Sequence, residues 1–120
     1  MKVSAIIVAW NSESDIAACL ESVLAAKSGP LEILVVDNAS QDGTPGLLRG
    51  YGNKIVLVEN RSNLGFARAV NQGLEKARGE YLLLLNPDAA LEPGALEEML
   101  SFMDQNPRAE IGRASCRERV

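Results

Sequence analysis

Leu31-Glu32-Ile33-Leu34-Val35-Val36-Asp37-Asn38-Ala39-Ser40-Gln41-Asp42-Gly43-Thr44-Pro45 is the stretch that decides the architecture. Leu31 to Val36 is strand-sized and almost wholly apolar, the pattern of a strand covered on both faces. Asp37 to Gly43 then turns polar and rich in turn formers. Thr44-Pro45 supplies an N-cap and a first-turn proline for a short helix. A buried strand that ends in a polar loop and passes into a helix is one unit of an alternating α/β chain.

The same unit recurs on either side. Val3 to Ala9 is a nearly continuous β-branched and apolar run, again a strand buried on both faces. Ser12 with Asp15 three residues on reads as a capping box for a helix. Its apolar face is Ile16, Leu20, Val23 and Leu24, and Ser28-Gly29-Pro30 stops it. Beyond Pro45, a third strand is expected over Lys54 to Val58. A helix with Phe66, Val70, Leu74 and Ala77 on one side follows, ended by Gly79. Tyr81 to Leu85 is a fourth strand and Asn86 to Glu92 a loop, after which Pro93 opens a helix using Leu96, Met99, Leu100 and Met103. Four alternations with short connections imply an α/β fold: a parallel, Rossmann-like sheet with helices on both faces and right-handed crossovers. In such sheets ligands bind beyond the carboxyl ends of the strands, near the point where strand order reverses. Asn11, Asp37, Glu59, Asn60, Asn86 and Asp88 all follow or close strands at that rim, which suits a polar, phosphorylated ligand.

The chain has 120 residues, 47% apolar and 23% charged, as in one small globular domain. No apolar run approaches the roughly 18 to 20 residues of a membrane span. Met1-Lys2 leads straight into a strand without the pattern of a signal peptide, so the expected compartment is the cytoplasm. Histidine is absent, which excludes histidine-based dyads and histidine-ligated metals. Cys19 and Cys116 lack metal-type spacing, and Cys19 on an apolar helix face is expected to be a buried, inert thiol. A net charge of −4 with interspersed signs argues against nucleic acid as a partner.

Ile111-Gly112-Arg113-Ala114-Ser115-Cys116-Arg117-Glu118-Arg119-Val120 has no helical or strand periodicity and shifts abruptly to arginine. It agrees codon by codon with the translation of a common sequencing adaptor, and residues 111–120 are therefore expected to be a non-native tail. Without it the charge balance becomes 9 basic to 15 acidic residues.

Several nucleotide motifs are missing. Ala9 to Ser14 contains no G-x-G-x-x-G, and no G-x-x-x-x-G-K-[ST] occurs. The acidic pair of a phospho-receiver and the G-x-S-x-G elbow of a hydrolase are absent as well. What remains resembles family 2 glycosyltransferases of the GT-A fold, in their rhamnosyltransferase-like branch. The resemblance covers Val3 to Asn106. It rests on Val8-Ala9-Trp10-Asn11, Val35-Val36-Asp37-Asn38-Ala39-Ser40-Gln41-Asp42-Gly43-Thr44, Glu59-Asn60, Asn63-Leu64-Gly65-Phe66-Ala67, Asn71-Gln72-Gly73 and Leu84-Leu85-Asn86-Pro87-Asp88.

The resemblance implies an enzyme that moves a sugar, with inversion, from a nucleotide diphosphate donor, dTDP- or UDP-linked, to a saccharide or lipid-linked acceptor hydroxyl. It implies surface polysaccharide or glycolipid synthesis, at the inner membrane face in a full-length protein. A departing diphosphate calls for Mg²⁺ or Mn²⁺, hard cations that want oxygen ligands. Asn86-Pro87-Asp88 occupies the family's Asp-any-Asp position, making Asp88 the implied metal ligand and Asn86 a neutral contact, one aspartate fewer than the pattern. On its own the tripeptide is equally a turn before a helix. Asp37 resembles the residue that accepts the base ring N–H, with Ala9 and Gly65 giving backbone contacts and Asn11 beside them. The plainer roles are an Asx turn at Asp37, which fits Asp42 better, and a helix-opening glycine at Gly65. Asn63 and Asn71 read as local hydrogen bonders and Arg68 as a solvent-facing arginine. Trp10 either lines the nucleotide pocket or plugs the sheet end. Glu92, Glu97 and Glu98 suit the first turns of a helix through its dipole, and the general base is expected in a C-terminal half beyond this chain. Residues 1–110 thus read as an incomplete nucleotide-sugar-binding part. The alternative is a non-catalytic nucleotide-binding or interaction module of the same fold.

Overall fold

The apolar runs do form buried strands. In the computed structural model, which describes residues 3–26 and 32–105, β1 (Val3–Ala9), β2 (Glu32–Asp37), β3 (Val56–Glu59) and β4 (Tyr81–Leu85) make one parallel sheet in the order β3-β2-β1-β4. The helices are α1 (Ile16–Leu24), α2 (Thr44–Arg49), α3 (Phe66–Lys76) and α4 (Ala95–Gln105). Alternation along β1 divides the interior. Val3, Ala5, Ile7 and Ala9 join Ile16, Cys19, Leu20 and Val23 of α1, Leu48 of α2 and Leu96 of α4 in one apolar core. Ile6 points the other way and meets α3. Chain order runs outward through β1, β2 and β3, then returns to place β4 on the far side of β1. The strand order therefore reverses between β1 and β4, and a crevice is expected there.

Several boundaries differ from the expectations above, and at Ser12 and Thr44 the reason is a side chain with another partner. The Ser12 capping box does not form: Ser12 Oγ donates to the Trp10 carbonyl at 3.1 Å, and α1 begins at Ile16. Thr44 is the first residue of α2 rather than its cap. Its amide donates to Asp42 Oδ1 at 2.9 Å, and its own Oγ1 accepts the buried Ser12 N–H. Lys54 closes a short 3₁₀ turn, Gly52–Lys54, so β3 starts two residues later than Lys54. The Ser28-Gly29-Pro30 stop and residues 106–120, the adaptor-like tail included, lie outside the described residues.

The largest correction concerns α3. Its buried positions are Ala69 and Gly73, not the stripe of Phe66, Val70, Leu74 and Ala77. The reason is distance. A Cβ on Gly73 would stand 2.8 Å from Ile6 Cγ2, so only very small residues let the helix lie this close to the sheet. Larger apolar residues are turned aside, leaving Phe66 and Leu74 exposed. On the same sheet face, Val56 of edge strand β3 and Leu82 of edge strand β4 are 41% and 43% exposed.

At the opposite end of the sheet from the rim, Glu32 is held by Ser4 and Arg78. Ser4 Oγ donates to Glu32 Oε2 at 2.7 Å, the Arg78 backbone N–H donates to the same oxygen at 2.6 Å, and Arg78 Nε reaches Oε1 at 3.3 Å. The Gly79 N–H donates to Ser4 Oγ, which ties the α3–β4 connection to β1. Burial pushes the Glu32 carboxyl up, but the Ser4 and Arg78 hydrogen bonds outweigh it and hold the group below its ordinary value.

Two outcomes are expected. Gly73→Ala should lower the free energy of urea unfolding by about 1 kcal/mol, because overpacking against Ile6 costs roughly 1 to 3 kcal/mol against a helix-propensity gain of about 1 kcal/mol. An increase in stability would mean that α3 does not need this close approach. The depressed Glu32 group contributes stability that is present above the unfolded-state value, about pH 4.3, and lost as pH falls through the lower folded-state value. Glu32→Gln should therefore lower stability at pH 7 and flatten its fall below about pH 4.3, read by thermal melts across pH. Parallel melting curves for the two proteins would remove Glu32 from the account.

Candidate active site

Register brings the first part of the site together. Ala9 pairs with Asp37 and Asp37 with Glu59, so β1, β2 and β3 end on one line. The Asn38 N–H donates to the Ala9 carbonyl and the Asn60 N–H to the Asp37 carbonyl, each at 2.9 Å, which carries the pairing one residue past each strand end. The loops that follow are then joined by side chains. Asn11 N–H donates to Ser40 Oγ at 2.8 Å, and Asn11 Oδ1 accepts the Gln41 N–H at 2.8 Å. Ser12 N–H reaches Thr44 Oγ1, Glu13 N–H reaches Asp42 Oδ2, and Gly43 N–H donates to Glu13 Oε1. This seam needs left-handed backbone at Asn11 (φ 47°) and Ala39 (φ 63°). For alanine that conformation costs roughly 1 to 2 kcal/mol, which the surrounding hydrogen bonds must offset.

Asp37 lies under the seam. It is 2% exposed, with Oδ1 accepting from Ser40 Oγ at 2.6 Å and Oδ2 from the Ser40 N–H at 3.2 Å. The Asx turn falls on Asp42, where it fits better: Oδ1 accepts the Thr44 N–H two residues on, and Oδ2 accepts the Glu13 N–H, whereas Asp37 bonds Ser40 three residues on. A carboxylate has about four lone-pair sites, so Asp37 keeps acceptor capacity.

Next to it, buried Asn38 sends Nδ2 to the Gly65 carbonyl at 3.1 Å and accepts on Oδ1 from Asn60 Nδ2 at 2.9 Å and the Leu64 N–H at 3.3 Å. Asn60 and Gln72 exchange reciprocal amide bonds of 2.8 and 2.9 Å. Gly65, at φ 87°, sits immediately before α3 and does require glycine, as a helix-opening residue would. No atom lies within 4 Å of where its Cβ would stand, so its backbone is open to approach. Asn63 makes only a local bond to the Gly65 N–H. Asn38 and Gln72 occur in the motif strings without an assigned role, and Asn60 is placed there only as a rim residue. Their signal was a density of side-chain amides in segments far apart in sequence.

Asn86, Pro87 and Asp88 stand across the switch point from Ala9 and Trp10. Asn86 to Ala89 is a turn closed by the Ala89 N–H on the Asn86 carbonyl at 3.0 Å, with Asp88 exposed at its tip. The turn is fastened to α1: Cys19 Sγ donates to the Asn86 carbonyl at 3.5 Å, and Ser22 Oγ accepts the Leu91 N–H at 2.9 Å. Trp10 is 54% exposed at this rim and so does not plug the sheet end.

The rim acids differ in their freedom to act. Arg49 grips Glu59 through two hydrogen bonds of 3.0 and 2.6 Å, and that contact lowers the Glu59 carboxyl despite partial burial. Glu13, Asp37, Asp42 and Glu59 are all engaged. Asp88 makes no hydrogen bond or ion pair among the described residues. No group of three His, Cys, Asp or Glu able to cage a cation occurs among them. A single open carboxylate fits a hard divalent cation that takes its other oxygens from water and a substrate diphosphate. No helix among the described residues is long and apolar enough to cross a membrane.

Comparison with known proteins agrees with this fold. The chain is 32% identical over 103 residues to the succinoglycan biosynthesis protein ExoO of Rhizobium meliloti, spanning 85% of this chain and 30% of ExoO. The 1–349 piece of S. aureus TarS in complex with UDP superposes with a TM-score of 0.77 at 30% identity, over 88% of this chain and 32% of that one. The mannosyltransferase PcManGT from Pyrobaculum calidifontis, in complex with GDP-Man and Mn²⁺, gives 0.79 at 29% identity, over 85% and 32%. The chain spans about a third of the length of such proteins. The profile of Glycosyl transferase family 2 matches residues 4–117, and with the parallel α/β sheet common to these GT-A structures the chain belongs to that family.

Proposed function

We propose that this chain is the donor-binding part of an inverting glycosyltransferase that takes a dTDP- or UDP-linked sugar and serves a saccharide or lipid-linked acceptor. The observation that carries the reading is Asp88, an exposed strand-end carboxylate that, among the described residues, makes no hydrogen bond or ion pair where strand order reverses. UDP in TarS and GDP-Man with Mn²⁺ in PcManGT support a nucleoside diphosphate donor and a divalent cation. The succinoglycan biosynthesis role in ExoO's name supports polysaccharide or glycolipid synthesis.

On this reading each residue has a separable task. Asp37 accepts the ring N–H of the base once the Ser40 hydroxyl turns away from Oδ1. Backbone at Ala9 and at the open face of Gly65 flanks the base, and Asn11 holds the two loops around it. Asp88 holds Mg²⁺ or Mn²⁺, with Asn86 as a neutral contact. The bound cation supplies charge neutralisation for the departing diphosphate. Chemistry then requires the acceptor oxygen to attack the anomeric carbon from the face opposite the diphosphate. That step forms the new C–O bond as the old one breaks and passes the hydroxyl proton to a carboxylate base. That base lies outside these 120 residues, in the two-thirds of relatives' length that this chain does not span. The full-length protein works from the cytoplasmic side, at the membrane face where lipid-linked acceptors are presented.

A second reading, a non-catalytic nucleotide-binding module, is favoured by Asn86 standing where a second aspartate is usual. Calorimetry separates the two. A contact between a charged group and its partner is worth roughly 1.5 to 3 kcal/mol, so Mn²⁺ should tighten UDP binding about 10-fold or more and Asp88→Ala should abolish that gain. Asp37→Ala should weaken UDP with or without the metal. The 120-residue chain should bind UDP yet transfer no labelled sugar. Binding that ignores both Mn²⁺ and Asp88→Ala would support the module, and robust sugar transfer would place the base within this chain.

A further inference from the structure

Asp88 is the tip of a turn that makes no hydrogen bond to the Asp37 seam, and its position depends on α1. Two residues one helical turn apart reach the loop on either side of Asp88, at Asn86 and at Leu91. The buried Cys19 thiol donates to the Asn86 carbonyl at 3.5 Å, the same oxygen that closes the turn by accepting the Ala89 N–H at 3.0 Å. Ser22 Oγ accepts the Leu91 N–H at 2.9 Å and itself donates to the Cys19 carbonyl at 2.7 Å. The serine hydroxyl thus links the loop at Leu91 to the helix backbone at Cys19. Between these anchors the Ala89 and Leu91 side chains enter the core shared with Cys19, Leu20 and Val23, while Asp88 stays in solvent.

The geometry points to Cys19 and Ser22 as positioning residues for Asp88: a two-point clasp from α1 that sets where the carboxylate meets a divalent cation. The inference rests on the reading of Asp88 as the metal ligand. Neither side chain touches the cation; both act through the backbone of residues 86–91. Misplacement of a coordinating oxygen by even a fraction of an ångström weakens a metal site, which is why the groups behind the ligands matter. An anchored backbone also reduces the ordering that binding would otherwise require.

The test uses the 120-residue chain, UDP and Mn²⁺, with Ser22→Ala, Cys19→Ala, the double variant, and Cys19→Ser and Ser22→Thr as the substitutions that keep a hydroxyl. Amide hydrogen exchange in the absence of metal should show the Leu91 amide losing protection in Ser22→Ala and the Ala89 amide in Cys19→Ala, with protection in β1 and β2 retained. Calorimetry should show the gain in UDP affinity from Mn²⁺ reduced about threefold in each single variant and about tenfold in the double variant. UDP affinity without metal should stay constant, and Cys19→Ser and Ser22→Thr should recover most of the loss. Full retention of the Mn²⁺ effect in the double variant, while Asp88→Ala abolishes it, would overturn the clasp and leave the metal reading standing. No Mn²⁺ effect in the unaltered chain, or one that survives Asp88→Ala, would overturn the metal reading and the clasp with it. Loss of protection throughout β1 and β2, or of metal-free UDP binding, in both hydroxyl-keeping variants would assign Cys19 and Ser22 to folding and also overturn the proposal.

Discussion

Parallel pairing of β1 with β2 and β2 with β3 is the constraint on which the site depends. Ala9, Asp37 and Glu59 are register partners, and the hydrogen bonding continues past them through Asn38 and Asn60. A slip of one residue would exchange the two faces of a strand, moving Asp37 from its place under Ser40 and unpacking Ile33 and Val35 from the core. Because both faces of the inner strands are buried, the packing that stabilises the sheet also specifies this register. The chemistry-bearing residues inherit their positions from the apolar ones.

A sheet end presents backbone groups that must be satisfied, and here side chains from neighbouring loops do most of that work. Asn11, Glu13, Ser40, Asp42 and Thr44 receive or donate across the seam between the first two loops, and Asn38, Asn60 and Gln72 tie the third to α3. Every buried side-chain nitrogen and oxygen among the described residues has a partner. Buried polar networks stabilise when complete and cost heavily when one member is lost. A rim built this way is preorganised, and the strained φ values at Asn11 and Ala39 sit inside the region the hydrogen bonds hold.

Strands were the most legible elements because burial on both faces leaves continuous apolar runs, and β1 carries the expected bounds, Val3–Ala9. The parallel sheet followed from the alternation, whereas the strand order and the reversal beside β1 were read only from the coordinates. The α3 face was not legible. Periodicity finds large apolar residues, whereas this interface selects Ala69 and Gly73 for closeness. Helix starts were misread at Ser12 and Thr44 for a related reason. Propensity assumes a cap bonds within its own helix, but both residues are engaged across loops about 30 residues apart in sequence. The resemblance located Asp37 and Asp88, while the amide network and the α1 clasp required coordinates, since neither has a periodic signature.

The distribution of charge at the rim gives the arrangement its chemical logic. Crowded carboxylates would repel one another and bind protons or cations indiscriminately. Glu59 is neutralised by Arg49, Asp42 and Glu13 are spent on backbone N–H groups, and Asp37 is covered by Ser40. Among the described acids that directly follow strand ends, Asp88 is left open, and it stands across the reversal point from the seam. This separates two tasks that would otherwise interfere: a buried acceptor suited to a neutral ring N–H, and an exposed anion suited to a hydrated cation. A nucleoside diphosphate has the same polarity along its length, with a neutral hydrogen-bonding base at one end and charged oxygens at the other. On the proposed reading, Asp37 and Asp88 take the base end and the charged end of such a ligand, with the seam holding the first and the α1 clasp the second.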